Sequence, residues 1–247
     1  MLKVSHLSKQ FFRGKELLNV VDDVSFTLEK GKVLGLIGES GCGKSTLAKM
    51  ILRLIPSSSG KIYFDGEEII NKQTKRLAQR MQIVFQDPFS SLNPLMTIEK
   101  ILKEPTSIHG LPHRVEELLD LVKLSSALKT RYPHELSGGQ RQRIGIARAL
   151  ALKPDLLVCD EPVSSLDLPI QAQILNLLMQ LKTTLGLTLL FISHDMDVIR
   201  YVSDKVIVMK QGKITKEYST LSLCIEELYK ETTQKTSLCE IPHAFQT

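Results

Sequence analysis

Val33-Leu34-Gly35-Leu36-Ile37-Gly38-Glu39-Ser40-Gly41-Cys42-Gly43-Lys44-Ser45-Thr46 is the stretch that decides how this chain folds. Its first five residues form a continuous apolar run, the pattern of a strand buried on both faces. The next eight fit glycine, four residues, glycine, lysine and serine, the spacing of a phosphate loop. Glycines let the backbone turn so that successive N–H groups converge on phosphate oxygens, where side chains would block the approach. Lys44 neutralises phosphate charge, and the Ser45 hydroxyl suits Mg²⁺. Residues 45–52 have helical composition and spacing, so the loop also meets the positive end of a helix dipole. In isolation the octapeptide is a glycine-rich turn with a lysine. Between a buried strand and a helix it reads as a nucleotide site.

Working outward, Val24 to Leu28 alternates apolar and polar, the period-two signal of a half-buried strand, and the N-terminal third reads as short strands. Pro56 and the serines after it are expected to end the first helix. Residues 61–64 and 67–70 around Asp65-Gly66 read as a hairpin, and 82–85 as a further strand. From Pro94 to about Pro154 the strand signal vanishes. Residues 114–122 are amphipathic at helical period, and 141–152 form a second strong helix. Strands resume with Leu156-Leu157-Val158-Cys159, ending at Asp160, and with 188–192, ending at Ser193-His194. Between them a helix over 172–185 follows Pro169, a residue tolerated in a first turn. Residues 205–209 and 213–214 suggest a closing hairpin. Alternating strands and helices imply a largely parallel α/β sheet with its chemistry gathered at the carboxyl ends of the strands.

Bulk composition sets limits without naming a function. The chain has 247 residues, 43% hydrophobic and 24% charged, ordinary for a globular protein with a sizeable core. No window approaches the roughly 18 consecutive apolar residues of a membrane span. The start lacks the layout of a signal peptide, so the chain is expected to stay in the compartment where it is made. A net charge of +5 fits a nucleotide binder and does not by itself imply nucleic acid. Cys42 lies in the loop and Cys159 in an apolar run, neither suggesting a disulfide. Cys224, Cys239 and His243 are conceivable metal ligands, but a fourth is missing. The tail from Leu223 is polar and weakly patterned.

Two further elements carry chemistry. The 156–160 strand delivers Asp160 and Glu161 to the sheet edge facing the loop. Asp160 is the expected Mg²⁺ partner, through water, and Glu161 can accept a proton from an attacking water. Without a phosphate loop the same pair would be an ordinary solvated strand end. Leu136-Ser137-Gly138-Gly139-Gln140 reads as a helix start, with Ser137 as N-cap and glycines leaving free N–H groups. It is a second helix end suited to an anion, far in sequence from the first.

Together with Gln86 and His194, this pentapeptide makes the chain resemble the nucleotide-binding subunit of ATP-binding cassette (ABC) proteins, over roughly residues 2–217. The resemblance implies an ABC-type P-loop NTPase core with an N-terminal antiparallel β subdomain and an inserted helical subdomain at about 94–154. Residues 1–222 would form the nucleotide-binding domain and 223–247 a short tail. It implies ATP and Mg²⁺ as ligands and two such domains packed head to tail. The loop of one, Gly38 to Thr46 with Glu39, Ser40, Gly41, Cys42, Gly43, Lys44 and Ser45, then faces Ser137, Gly138, Gly139 and Gln140 of the other. Phe11 sits where the family places an aromatic that stacks on adenine, and Phe12 is a close rival. Gln86 would reach Mg²⁺ and the water, and His194 the γ-phosphate. Asp167, in Ser164-Ser165-Leu166-Asp167, matches a loop that touches the opposite subunit, with Ser165 where the family usually has alanine.

Val84-Phe85-Gln86-Asp87-Pro88-Phe89-Ser90-Ser91-Leu92-Asn93-Pro94 looks like the glutamine loop of ATPases that drive oligopeptide, dipeptide and nickel importers. Arg131-Tyr132-Pro133-His134-Glu135 and Arg141-Gln142-Arg143 point the same way. Similarity is greater to the second ATPase of such a pair than to the first. This implies membrane permease partners, a companion ATPase in a heterodimer (or a homodimer), an extracellular binding protein reached through the permease, no nucleic acid, and a place on the cytoplasmic face of the cell membrane. An ATPase of another ABC transporter class, or a soluble ABC ATPase outside transport, is the alternative. Lys44→Ala is expected to lose nucleotide affinity, measured by equilibrium binding of ATP; unchanged affinity would refute the role given to Lys44.

Overall fold

The computed structural model of the chain describes residues 1–14, 16–70 and 74–218. Cys224, Cys239 and His243, and the tail that contains them, lie outside the described residues. An antiparallel sheet is ordered β2-β1-β4-β5, from β1 (Leu2–Arg13), β2 (Glu16–Leu28), β4 (Ser59–Phe64) and β5 (Glu67–Glu68). The second sheet is ordered β10-β9-β3-β8-β7-β6, from β3 (Val33–Ile37), β6 (Met81–Val84), β7 (Leu156–Asp160), β8 (Thr188–Ser193), β9 (Lys205–Lys210) and β10 (Lys213–Tyr218). All its pairings are parallel except β9 with β10.

β1 and β2 correct the expectation of short N-terminal strands, with 12 and 13 residues. Their pairing shifts register between Val4 and Leu7 and again between Leu7 and Lys9. His6 and Asp23 take left-handed backbone, φ 50° and 55°. Such bulges change the phase of the alternation. Leu2, Val4 and Leu7 all stay buried although they do not keep a period of two, which hides the strand from a pattern search.

β3, β7 and β8 are buried at every residue. Successive side chains point to opposite faces, and two cores result. On one face, Leu156, Val158, Leu190 and Ile192 pack with the antiparallel sheet and α1 (Lys44–Ile51). On the other, Leu157, Cys159, Leu189 and Phe191 pack with the helices. Those are α4 (Ile98–His109), α5 (Val115–Leu121), α6 (Gly138–Leu150), α7 (Leu168–Leu185) and α8 (Met196–Val202). The short α2 (Thr74–Arg80) and α3 (Pro88–Ser91) flank β6. Arg80 ties the layers together. Its guanidinium reaches Asp65 beyond β4 and, at 2.6 Å, Asp155 before β7, and it lies 4.6 Å from the Phe64 ring centre.

Three helix details differ from the sequence reading. α1 ends at Ile51, before Pro56: Arg53 turns left-handed at φ 57°, its N–H bonds Met50 O, and Leu54 N–H bonds Lys49 O. This closes the last turn as a Schellman motif. α6 starts at Gly138, with Ser137 as its N-cap as the sequence suggests but three residues ahead of the 141–152 run, and α7 starts at Leu168, four earlier than expected. Among the described residues no helix is long and apolar enough to cross a membrane.

Two loop glycines are required for different reasons. A Cβ on Gly38 would stand 2.2 Å from Met209 O and 2.8 Å from Cys42 Sγ. Gly41 has open space around it but a φ of +79°. Gly41→Ala should therefore cost only about 1–2 kcal/mol of backbone strain. Gly38→Ala should cost more, about 3 kcal/mol, because a backbone carbonyl must move. Chemical denaturation of the two variants checks this ranking, and equal costs would overturn the close packing at Gly38.

Candidate nucleotide site

β3 leaves the sheet at Ile37, and residues 38–43 carry the chain to α1. Gly43 is the helix N-cap at φ 107°, and no side chain caps the helix start. Its first N–H groups are thus turned toward the loop and free of a side-chain oxygen, the condition for holding an anion. Lys44 is buried, and its ammonium donates to Gly38 O at 2.7 Å and Glu39 O at 2.9 Å. The loop's own carbonyls hold that charge at its centre. Burial pushes the Cys42 thiol pKa up, so it stays neutral beside Lys44. Gly212 N–H donates to Cys42 O at 3.0 Å, bracing the loop on the β9–β10 turn.

β7 and β8 bring their ends to the same edge. Asp160 is buried, and its Oδ1 accepts from Ser45 Oγ at 3.1 Å. Burial raises the pKa of its carboxyl above the ordinary value, with the Ser45 hydrogen bond acting the other way. Glu161 follows in left-handed backbone, φ 49°, its N–H bonded to Ile192 O at 2.9 Å. Its carboxylate receives Gln86 Nε2 at 3.2 Å and lies 3.1 Å from His194 Nδ1. The glutamate side chain is 14% exposed and the histidine 57%. Residues from the ends of β6, β7 and β8 therefore meet on one carboxylate that water can still approach.

The signature pentapeptide stands elsewhere. Ser137 Oγ accepts from Gln140 N–H at 3.3 Å, and Gln140 Oε1 accepts from Ser137 N–H at 2.9 Å, a reciprocal cap at the start of α6. Gly139 packs against Ile170, where a Cβ would fall 2.7 Å from Cγ2. Among the described residues no hydrogen bond or ion pair joins residues 137–140 to the phosphate loop. Asp167 is the exposed N-cap of α7, with its O accepting from Gln171 N–H at 2.9 Å.

Phe11 pairs with Leu18 across β1 and β2. Leu18 lies two residues, roughly 7 Å along a strand, from Val20, whose carbonyl abuts Gly43. Phe11 is 41% exposed, with Lys9 Nζ 5.0 Å from its ring centre, and Phe12 is 79% exposed. The hairpin thus passes the loop and carries an exposed aromatic just beyond it.

Sequence reasoning misses one group of residues. Gln142 is fully buried in α6 and donates to Phe85 O at 3.4 Å. Arg141 lies 3.7 Å over the Phe89 ring, and Arg148 donates to Ser91 O. Three residues of the signature helix hold the segment that carries Gln86. The run Arg141-Gln142-Arg143 stands out in the sequence, but nothing local shows its partners.

The ABC transporter family profile matches residues 21–164. The chain is 43% identical over 253 residues to the oligopeptide transport ATP-binding protein OppF of Bacillus subtilis, covering 98% of this chain and 83% of that one. It is 51% identical over 207 residues to AppF of the same organism, an oligopeptide transport ATP-binding protein, covering 80% and 63%. A dimeric ATP-binding cassette solved in a post-hydrolysis state with ADP and Pi superposes with a TM-score of 0.80, at 28% identity over 89% of this chain and 98% of that one. The phosphate loop, the acidic strand end and the separate signature helix stand on the fold of these relatives, and the chain belongs to the ABC transporter family as one of its nucleotide-binding ATPases.

Proposed function

We propose that this ATPase energises a membrane importer of the oligopeptide, dipeptide or nickel class, with Glu161 as the base of its hydrolytic site. The convergence of Gln86 and His194 on Glu161, at 3.2 and 3.1 Å, carries the mechanistic part. Glu161 takes the proton of the attacking water. Gln86 orients that water, and His194 contacts the γ-phosphate while holding the glutamate in place. Lys44 and the N–H groups of residues 38–46 bind the phosphates, and Phe11 stacks on adenine. Ser45 Oγ, Asp160 and Gln86 offer oxygen donors, the type Mg²⁺ prefers; when bound, that ion adds phosphate charge neutralisation.

The rest of the site comes from a second subunit. Residues 137–140 make no bond to the phosphate loop of their own chain, and Ser137 is exposed. They serve the ATP held by the facing cassette, with Asp167 touching that partner. The occupant is a companion ABC ATPase in a heterodimer, a homodimer being the variant of the same reading. Residues 1–222 act as one nucleotide-binding domain, in which the helical block at about 94–154 receives the permease. Phe89 and Leu95, 58% and 86% exposed beside the glutamine loop, supply apolar surface for that contact. The names of the two Bacillus relatives support oligopeptide transport, and import is supported by a putative peptide import ATP-binding protein of Brucella ovis, 48% identical over 93% of this chain. The peripheral place on the cytoplasmic face of the membrane follows from import, as does an extracellular binding protein beyond the permease.

Glu161→Gln should lower turnover about 10²–10⁴-fold while ATP still binds; normal hydrolysis by this variant would remove Glu161 from its role. ATPase activity measured with membranes carrying the permease and companion ATPase, loaded in turn with peptide and chelated nickel, tests the importer. Stimulation by one cargo is expected. Activity indifferent to every membrane component would sink the importer and favour a soluble role.

A further inference from the structure

A cavity on the side of the sheet away from the nucleotide site has a volume of about 740 Å³. Asp155, before β7, and Leu187, before β8, line it, so it opens at the amino ends of the strands. Leu121, Leu150, Leu185 and Leu187 give it an apolar wall. Such a volume and lining match small-molecule pockets, which run from about 300 to 1,000 Å³.

Its charges sort into committed and uncommitted ones. Arg114 pairs with Glu117 at 3.1 Å, and Asp155 with Arg80 at 2.6 Å. Lys153, in the loop after α6, and Asp120, on α5, also line the cavity. Among the described residues neither side chain has a hydrogen bond or ion pair. One cation, one anion and an apolar wall therefore face the same space. A small zwitterion with an apolar side chain complements all three at once: carboxylate to Lys153, ammonium to Asp120, side chain to the leucines.

We infer that this cavity is a regulatory site for such a zwitterion, the chemistry shared by a short peptide and a free amino acid. Two elements link it to the chemistry at the far edge. β7 runs from Asp155 in the cavity to Glu161 in the site, about 20 Å at strand rise. α6 runs from the Ser137 cap to Leu150 in the cavity, again about 20 Å at helical rise. A ligand that shifts either end bears on Glu161 or on the signature residues. The site rests on the cavity alone; its use as feedback from imported cargo rests on the importer reading.

Calorimetric titration of the full chain with dileucine, leucine and N-acetyl-dileucine amide provides the test. Dileucine or leucine should bind and the blocked compound should not; the tighter of the two identifies the source. Lys153→Ala and Asp120→Ala, both at exposed positions, should each weaken binding about tenfold or more, the loss expected for a charged hydrogen bond. Bound ligand should change ATP affinity about fivefold, and ATP the ligand's affinity by the same factor. Binding of the blocked compound as tightly as dileucine, or full binding by both variants, would overturn the site, as would no binding by either zwitterion. If cargo stimulates the ATPase through the permease while the free chain ignores both zwitterions, the site falls and the importer stands. Zwitterion binding without permease stimulation would keep the site and remove the importer.

Discussion

The register of β3, β8 and β7 governs everything at the nucleotide edge. Ile37 stands opposite Ser193, and Asp160 opposite Ile192, so three loops leave the sheet side by side. A slip of one residue would exchange the two faces of a strand and withdraw Asp160 from Ser45. Apolar content cannot set this register, because these strands are buried on both faces and either phase would suit the cores. Polar bonds at the amino ends add contacts that only one register allows. Asp204 Oδ2 accepts from Val33 N–H at 2.7 Å, Thr188 Oγ1 from Gly31 N–H at 3.0 Å, and Arg80 O from Asp155 N–H at 2.8 Å. The strands are pinned at one end, and the site is assembled at the other.

Two adjacent carboxylates at that edge have separate surroundings. β7 delivers Asp160 into a buried position on Ser45, and the left-handed backbone at Glu161 interrupts the strand immediately afterwards. Holding a non-glycine residue there costs roughly 1–2 kcal/mol, offset by its hydrogen bond to Ile192 O. Glu161 is thereby aimed at Gln86 and His194. A regular strand would have turned Glu161 to the face opposite Asp160 by alternation alone, not along the edge toward Gln86 and His194.

How far the sequence can be read follows from how local each signal is. The phosphate loop, β3 and β7 are legible because glycine spacing and unbroken apolar runs act over a few residues. β1 is not, since its bulges break the period of two. α4 is concealed: Pro105 lies inside it, where a proline ordinarily ends a helix. α8 is only seven residues, marked by little beyond its Asp195 cap. At the site, Glu161, Gln86 and His194 are individually visible through family resemblance, but their meeting depends on strand order. Gln142 is invisible for the same reason, as its partner Phe85 is 57 positions away.

The bonds from α6 to residues 85–91 give the helical block a property of its own. Gln142, Arg141 and Arg148 fasten three points of the glutamine segment to the helix whose tip is the signature cap. The tip and the segment therefore travel together. A displacement of α6 relative to the sheet would be felt at both places, at the Ser137 cap and at the contact of Gln86 with Glu161. The helix is thus a lever with two working points on one arm, the Ser137 cap and the glutamine segment.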